Sequence, residues 1–149
     1  NQAAQLLFEQ DHAPEALRVL ELLPVAERDP ALEIEVLLAA GSFVQLEAWL
    51  AVHEPTGTKE RASAARAAIW VGKLSMAAGI IEADRLTQPD TPVLQLLAAK
   101  LELARGHYAQ AAEQFARVPA GAAVSSEANH GLRSTLRAAG LSDLADDLP

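Results

Sequence analysis

Residues 106–119 read GHYAQAAEQFARVP. A glycine is followed two positions on by an aromatic, then by a helical run with Ala111 and Phe115 four residues apart, then by a closing proline. Glycine ends a helix in the left-handed conformation at no steric cost, and residues four apart on a helix share one face. The stretch is therefore a turn followed by a helix that presents a small residue and a large one to a neighbour. The same order stands near the other end of the chain. Residues 6–24, LLFEQDHAPEALRVLELLP, and residues 101–119, LELARGHYAQAAEQFARVP, align at an offset of 95, with His12 on His107, Ala16 on Ala111 and Pro24 on Pro119.

Working outward from these two segments gives a series. With the turn residue as marker, Asp11, Gly41, Gly72, Gly106 and Gly140 succeed one another at spacings of 30, 31, 34 and 34. Five positions after each marker stand Ala16, Leu46, Ala77, Ala111 and Ala145, and nine after stand Leu20, Leu50, Ile81, Phe115 and Pro149. Internal periods of this size signal stacked supersecondary units. Five helical hairpins follow, in units of about 1–24, 25–55, 56–88, 89–122 and 123–149. Their first helices are expected at about 2–10, 30–40, 59–71, 92–105 and 126–139. The second helices are expected at about 14–23, 43–53, 74–87, 108–117 and 142–148. Asp29 before Pro30 and Thr91 before Pro92 are N-cap residues followed by a proline whose missing N–H costs nothing there; Thr58 and Ser126 are weaker caps of the same type. An ordinary helical bundle with evenly spaced loops is the competing reading of so Ala-rich a sequence.

Composition agrees with an all-α fold. Of 149 residues, 32 are Ala and 23 are Leu, against 18 for Val, Ile and Thr together, a balance that favours helix over strand. Only six residues are aromatic, so small and aliphatic side chains must fill the core at close helix approach. Twenty acidic against 12 basic side chains give a net charge of −8. Such a chain lacks the basic field that drives binding to phosphate backbones, which argues against direct nucleic-acid binding. The absence of Cys excludes thiolate catalysis and Cys-type zinc sites, and no apolar run is long enough to span a bilayer.

The pattern Gly106, Tyr108, Ala111, Phe115 and Pro119 resembles the second half of a tetratricopeptide repeat (TPR). The resemblance extends over nearly the whole chain in period and is motif-quality in this one unit; the Trp and Leu-Gly signature of the family's first helix is absent, and the spacings of 30 and 31 are short. What it implies is a right-handed α-solenoid whose first helices line a concave groove, with no cofactor, binding a peptide or helix of a protein partner. Some members grip a C-terminal carboxylate with Asn and Lys residues, as co-chaperones do. The only asparagines here, Asn1 and Asn129, do not reproduce that pattern.

Catalytic constellations are scarce. His12, His53, His107 and His130 lack metal-ligand spacing, and no P-loop, G-x-S-x-G or G-x-G-x-x-G occurs. The acidic pairs Asp146 with Asp147 and Glu33 with Glu35 have no neighbour that would separate their pKa values for acid and base work. No enzyme and no metal site are expected. The implied groove is more informative. Six residues before each marker stand Gln5, Glu35, Arg66, Lys100 and Ser134; thirteen before stand Arg28, Lys59, Val93 and Glu127; two or three before stand Phe8, Glu9, Trp70 and Arg137. Lys59, Arg66, Lys100 and Arg137 would then make a locally positive surface suited to an acidic peptide, with Trp70 as an apolar anchor. The plainer alternatives are helix-face charges paired with Glu60, Glu102 and others, and a Trp70 that belongs to the core.

The expected function is a non-catalytic interaction or scaffold module that takes its partner in the groove, on Gln5, Phe8, Glu35, Lys59, Arg66, Trp70, Lys100 and Arg137. The alternative is a regulatory or assembly segment of a larger multi-domain protein, chaperone-like or serving secretion or envelope assembly. The chain opens at Asn1 without a Met and closes with Leu141, Leu144 and Leu148 still to be covered. It therefore reads as part of a longer protein, or as one that pairs with a second copy there. Nine Arg against three Lys beside abundant Ala suggests a bacterial source, with cytoplasm and periplasm both open.

Overall fold

A computed structural model describes residues 1–148; the Pro149 of the nine-after column lies outside the described residues. Among them the chain is all-helical, with no strand. Ten α-helices follow in order: α1 (Gln2–Glu9), α2 (Ala13–Glu21), α3 (Pro30–Ala39), α4 (Phe43–Val52), α5 (Thr58–Trp70), α6 (Leu74–Thr87), α7 (Pro92–Ala104), α8 (Tyr108–Arg117), α9 (Ser125–Ala138) and α10 (Ser142–Asp146). A single 3₁₀ turn, Val25–Glu27, separates α2 from α3.

The two kinds of helix end by different chemistry. Every marker residue has positive φ, from 60° at Asp11 to 85° at Gly72. At Asp11, Gly41, Gly106 and Gly140 the marker N–H donates to the carbonyl three residues back, and the next N–H donates to the carbonyl five residues behind it, as His107 does to Glu102 at 2.9 Å. This paired pattern is the Schellman motif, which occupies the orphan carbonyls of the preceding helix. Second helices stop otherwise. Gln88 and Val118, which cap α6 and α8, are extended because each precedes a proline that disfavours helical backbone before it.

Two of the four expected caps form. The Asp29 side chain accepts from Ala31 N at 3.1 Å, and Thr91 Oγ1 accepts from Leu94 N at 3.3 Å. Thr58 and Ser126 instead lie inside α5 and α9, whose N-caps are Gly57 and Val124. Gly57 has φ 76°, a conformation closed to most side chains, so the chain turns into the helix one residue earlier than the threonine implies. The last helix is also shorter than expected and ends at Asp146.

The structure divides into two compact units, Asn1–Val71 and Gly72 onward. In the first, α1 packs on α2, α2 on α3, α3 on α4 and on α5, and α4 on α5. Its core gathers Ala4, Ala16, Leu20, Leu32 and Val36. In the second, α6 packs on α7, α7 on α8 and α9, α8 on α9, and α9 on α10. Leu96, Ala99, Ala111, Phe115, Val118 and Ala128 form that core. All five residues of the five-after column are buried, as are Leu20, Leu50, Ile81 and Phe115 of the nine-after column. The abundance of alanine thus serves packing. The buried face of α5 is Ser63, Ala64, Ala65, Ala67 and Ala68, side chains small enough to let neighbouring backbones come close.

Candidate functional site

In the first unit the groove residues lie on α1, α3 and α5. Gln5, Leu6 and Glu9 of α1, with Asp29 and Leu32 at the start of α3, line a shallow depression of about 410 Å³. Gln5 Nε2 donates to Glu9 Oε1 at 2.8 Å. The ionisable side chains of this depression, Glu9 and Asp29, are acidic. Phe8 is half-buried and packs on the Ala4–Leu20–Val36 core. Glu35 on α3 accepts a hydrogen bond from Ser63 Oγ of α5 at 3.2 Å, which ties the two first helices together. On α5, Lys59 is exposed in the first turn and Arg66 is half-buried.

Trp70, the last residue of α5, is neither a core residue nor an isolated anchor. Its ring stacks on Phe43 at the start of α4, with centroids 3.7 Å apart and planes 12° from parallel. Trp70 is 41 % exposed and Phe43 47 %. The register singled out Trp70 and missed Phe43. The signal available for it was an aromatic two residues after a marker, the position Tyr108 holds after Gly106.

In the second unit the groove cations are bound to acids. Lys100 on α7 forms an ion pair with Glu127 on α9, and Arg137 on α9 pairs with Asp146 on α10 at 3.2 Å. Both pairs cross between helices. Glu102 is engaged locally, accepting from Arg105 Nη1 at 3.0 Å and from His107 Nδ1 at 2.6 Å. Burial pushes the Glu102 carboxyl up, but the hydrogen bonds from His107 and Arg105 and their positive charge outweigh it and hold the carboxyl below its ordinary range. Val93 is exposed and Ser134 half-buried.

Arg28, thirteen before a marker, serves as a clamp. Its Nε donates to Leu23 O at 3.1 Å, its Nη2 to Glu21 O at 3.4 Å and its Nη1 to Glu33 at 3.1 Å, joining the end of α2 to the start of α3. A cation among the last carbonyls of a helix is favourable.

The histidines occupy separate places. His12 Nδ1 lies 2.6 Å from Gln10 O in an exposed turn, His53 stacks on Trp49 with ring centroids 4.3 Å apart, His107 meets Glu102, and His130 is exposed on α9. Among the described residues no group of three His, Asp or Glu side chains could hold a metal ion, and no helix is long and apolar enough to cross a membrane. Of the acidic pairs, Glu33 is held by Arg28 and Asp146 by Arg137. No family model matches the chain, and neither a curated protein nor a solved structure matches it.

Proposed function

We propose that this chain is a non-catalytic protein–protein interaction module, a TPR-like right-handed α-solenoid of five hairpins that receives a peptide or helix of a partner on the faces of its first helices. Three observations support the repeat reading: the recurring left-handed turn, the buried small-residue column, and the packing of α3 on α5 and of α7 on α9. The stacked pair Phe43–Trp70 carries the binding reading. Two of only six aromatic residues lie half in solvent, locked face to face, and rigid exposed aromatics are the side chains that dominate interface energies. Lys59, exposed on the same helix as Trp70, supplies positive charge for an acidic partner. The cations of the second unit contribute less, since Lys100 and Arg137 already face carboxylates.

The test begins with the partner purified on the intact protein from its native host and titrated calorimetrically. Trp70→Ala is expected to weaken binding by roughly tenfold or more, as loss of a central aromatic does, with little change in unfolding temperature. Lys59→Glu is expected to weaken it further for an acidic partner. Unchanged affinity in both variants overturns the proposal. A second reading, an assembly segment of a larger bacterial protein, is favoured by exposed Leu141 and Leu144 beside and on α10. Light scattering would then give a dimer that Leu144→Glu dissolves.

A further inference from the structure

The second helices present an outer column at the positions three, seven, ten and eleven residues after each marker, and it is exposed on α2, α4, α6 and α8 alike. On α2 this column includes Arg18 and Glu21, on α6 Glu82, and on α8 Glu113 and Arg117. On α4 it reads Val44, Ala48, Ala51 and Val52, with no charge at all. Leu46, Trp49 and Leu50 make the opposite, buried face of α4, so the helix is apolar on both sides. A helix with apolar side chains on two opposite sides ordinarily has both of them covered. Here Val44 is 81 % and Val52 78 % exposed. The hydrogen bond from Gln45 Nε2 to Glu21 Oε1 at 3.1 Å holds the end of α2, with exposed Leu22, beside this face.

The surroundings are acidic. Residues 42–57, which make up α4 and its flanks, contain Glu47 and Glu54 and neither Lys nor Arg. Glu47 lies exposed on α4 itself, and Glu21 adjoins its first turn. We infer that the outer face of α4 is a docking surface for an amphipathic helix of another protein whose apolar ridge is bordered by Lys and Arg. Charge complementarity selects that occupant, because like charges set against one another cost affinity and opposite charges fix the pairing. A second copy of this chain would bring an equally acidic rim, Glu47 included, against the first, and each copy carries a net charge of −8. Anionic lipid meets the same repulsion. This surface is the outer side of α4, a helix that the peptide site proposed above meets at Phe43.

The probe is a synthetic amphipathic helix with Leu and Ala along one face and Lys on its borders, compared with the same peptide carrying Glu in place of Lys. Both are titrated into the ¹⁵N-labelled full chain. The Lys-bordered peptide is expected to shift the amides of α4 and the end of α2, with affinity falling as salt rises, and the Glu-bordered peptide to leave the spectrum unchanged. Ala51→Arg should weaken binding by at least ~tenfold through charge repulsion at a desolvated contact. Ala116→Arg, at the same column position on α8, should leave it intact. Both sites are exposed and Arg is a good helix former, so neither variant threatens the fold. Absence of binding, equal binding of the two peptides, or equal loss in the two variants overturns the inference. Two other results overturn it by naming another occupant: a wild-type dimer that Ala51→Arg makes monomeric, or Ala51→Arg-sensitive binding to phosphatidylcholine vesicles.

Discussion

At the scale of single residues, Phe115 and Gly131 show how far a position can be understood in isolation. Phe115 stands nine after a marker and four after Ala111, and both are buried together in the second core. Gly131 sits in the middle of α9, where glycine is a poor helix former, and nothing beside it in the chain explains it. In the fold a Cβ on Gly131 would lie 2.4 Å from the Phe115 ring, and that ring is only 2 % exposed, packed within the second core. Gly131→Ala should therefore destabilise the protein by about 1–3 kcal/mol despite its better helix propensity, the usual cost of overpacking. A urea titration checks this, and a rise in the midpoint would contradict it. Trp70 teaches a related lesson: its type and spacing left core and surface open, and its stacking on Phe43 is decided by which helix starts beside it.

The elements are governed by their ends. Four Schellman turns share one hydrogen-bond pattern, and one of them is built on Asp11 at φ 60° instead of glycine. A residue with a Cβ pays roughly 1–2 kcal/mol in that conformation, Asp somewhat less than most. Asp11→Gly is thus expected to stabilise the protein by about 0.5–1 kcal/mol, the relief being partly offset by the greater freedom of glycine in the unfolded chain. Gly106→Ala should destabilise by about 1 kcal/mol, although a Cβ there meets no atom within 4 Å. Thermal unfolding of the two variants side by side distinguishes backbone strain from packing. Helix boundaries were legible to within two residues because these turns, and the prolines after second helices, are local signals. The caps at Thr58 and Ser126 were not, since a cap depends on the backbone angle of its neighbour, and Gly57 had already turned the chain.

On the scale of the whole molecule, helices close in sequence pack on one another within each unit, and each unit has a core of its own. Regions open independently when few contacts bind them to the rest. Leu20→Ala removes a fully buried side chain from the first core, and Phe115→Ala removes one from the second. Each is expected to cost ~2–5 kcal/mol. In hydrogen exchange, Leu20→Ala should lower protection in α1–α5 more than in α6–α10, and Phe115→Ala the reverse. A uniform loss across all ten helices would show that the chain unfolds as one cooperative body.

The sequence by itself determined the helices, their order, the five left-handed turns and the small-residue column, because each is written in local chemistry: glycine at a helix end, proline after one, alanine where helices meet. Only the tertiary structure decided what the charged and aromatic surface does. Lys100 and Arg137 could be read as groove cations or as charges paired with acids until α7, α9 and α10 brought Glu127 and Asp146 against them, and Arg28 became a clamp only once α2 and α3 were placed together. The outer face of α4 was visible as letters but carried no meaning until its opposite face was seen to supply all the burial the helix receives. The physical reason is common to all of these. Backbone preferences act over a few residues, whereas the role of a charge or an exposed apolar side chain depends on neighbours that arrive from elsewhere in the chain.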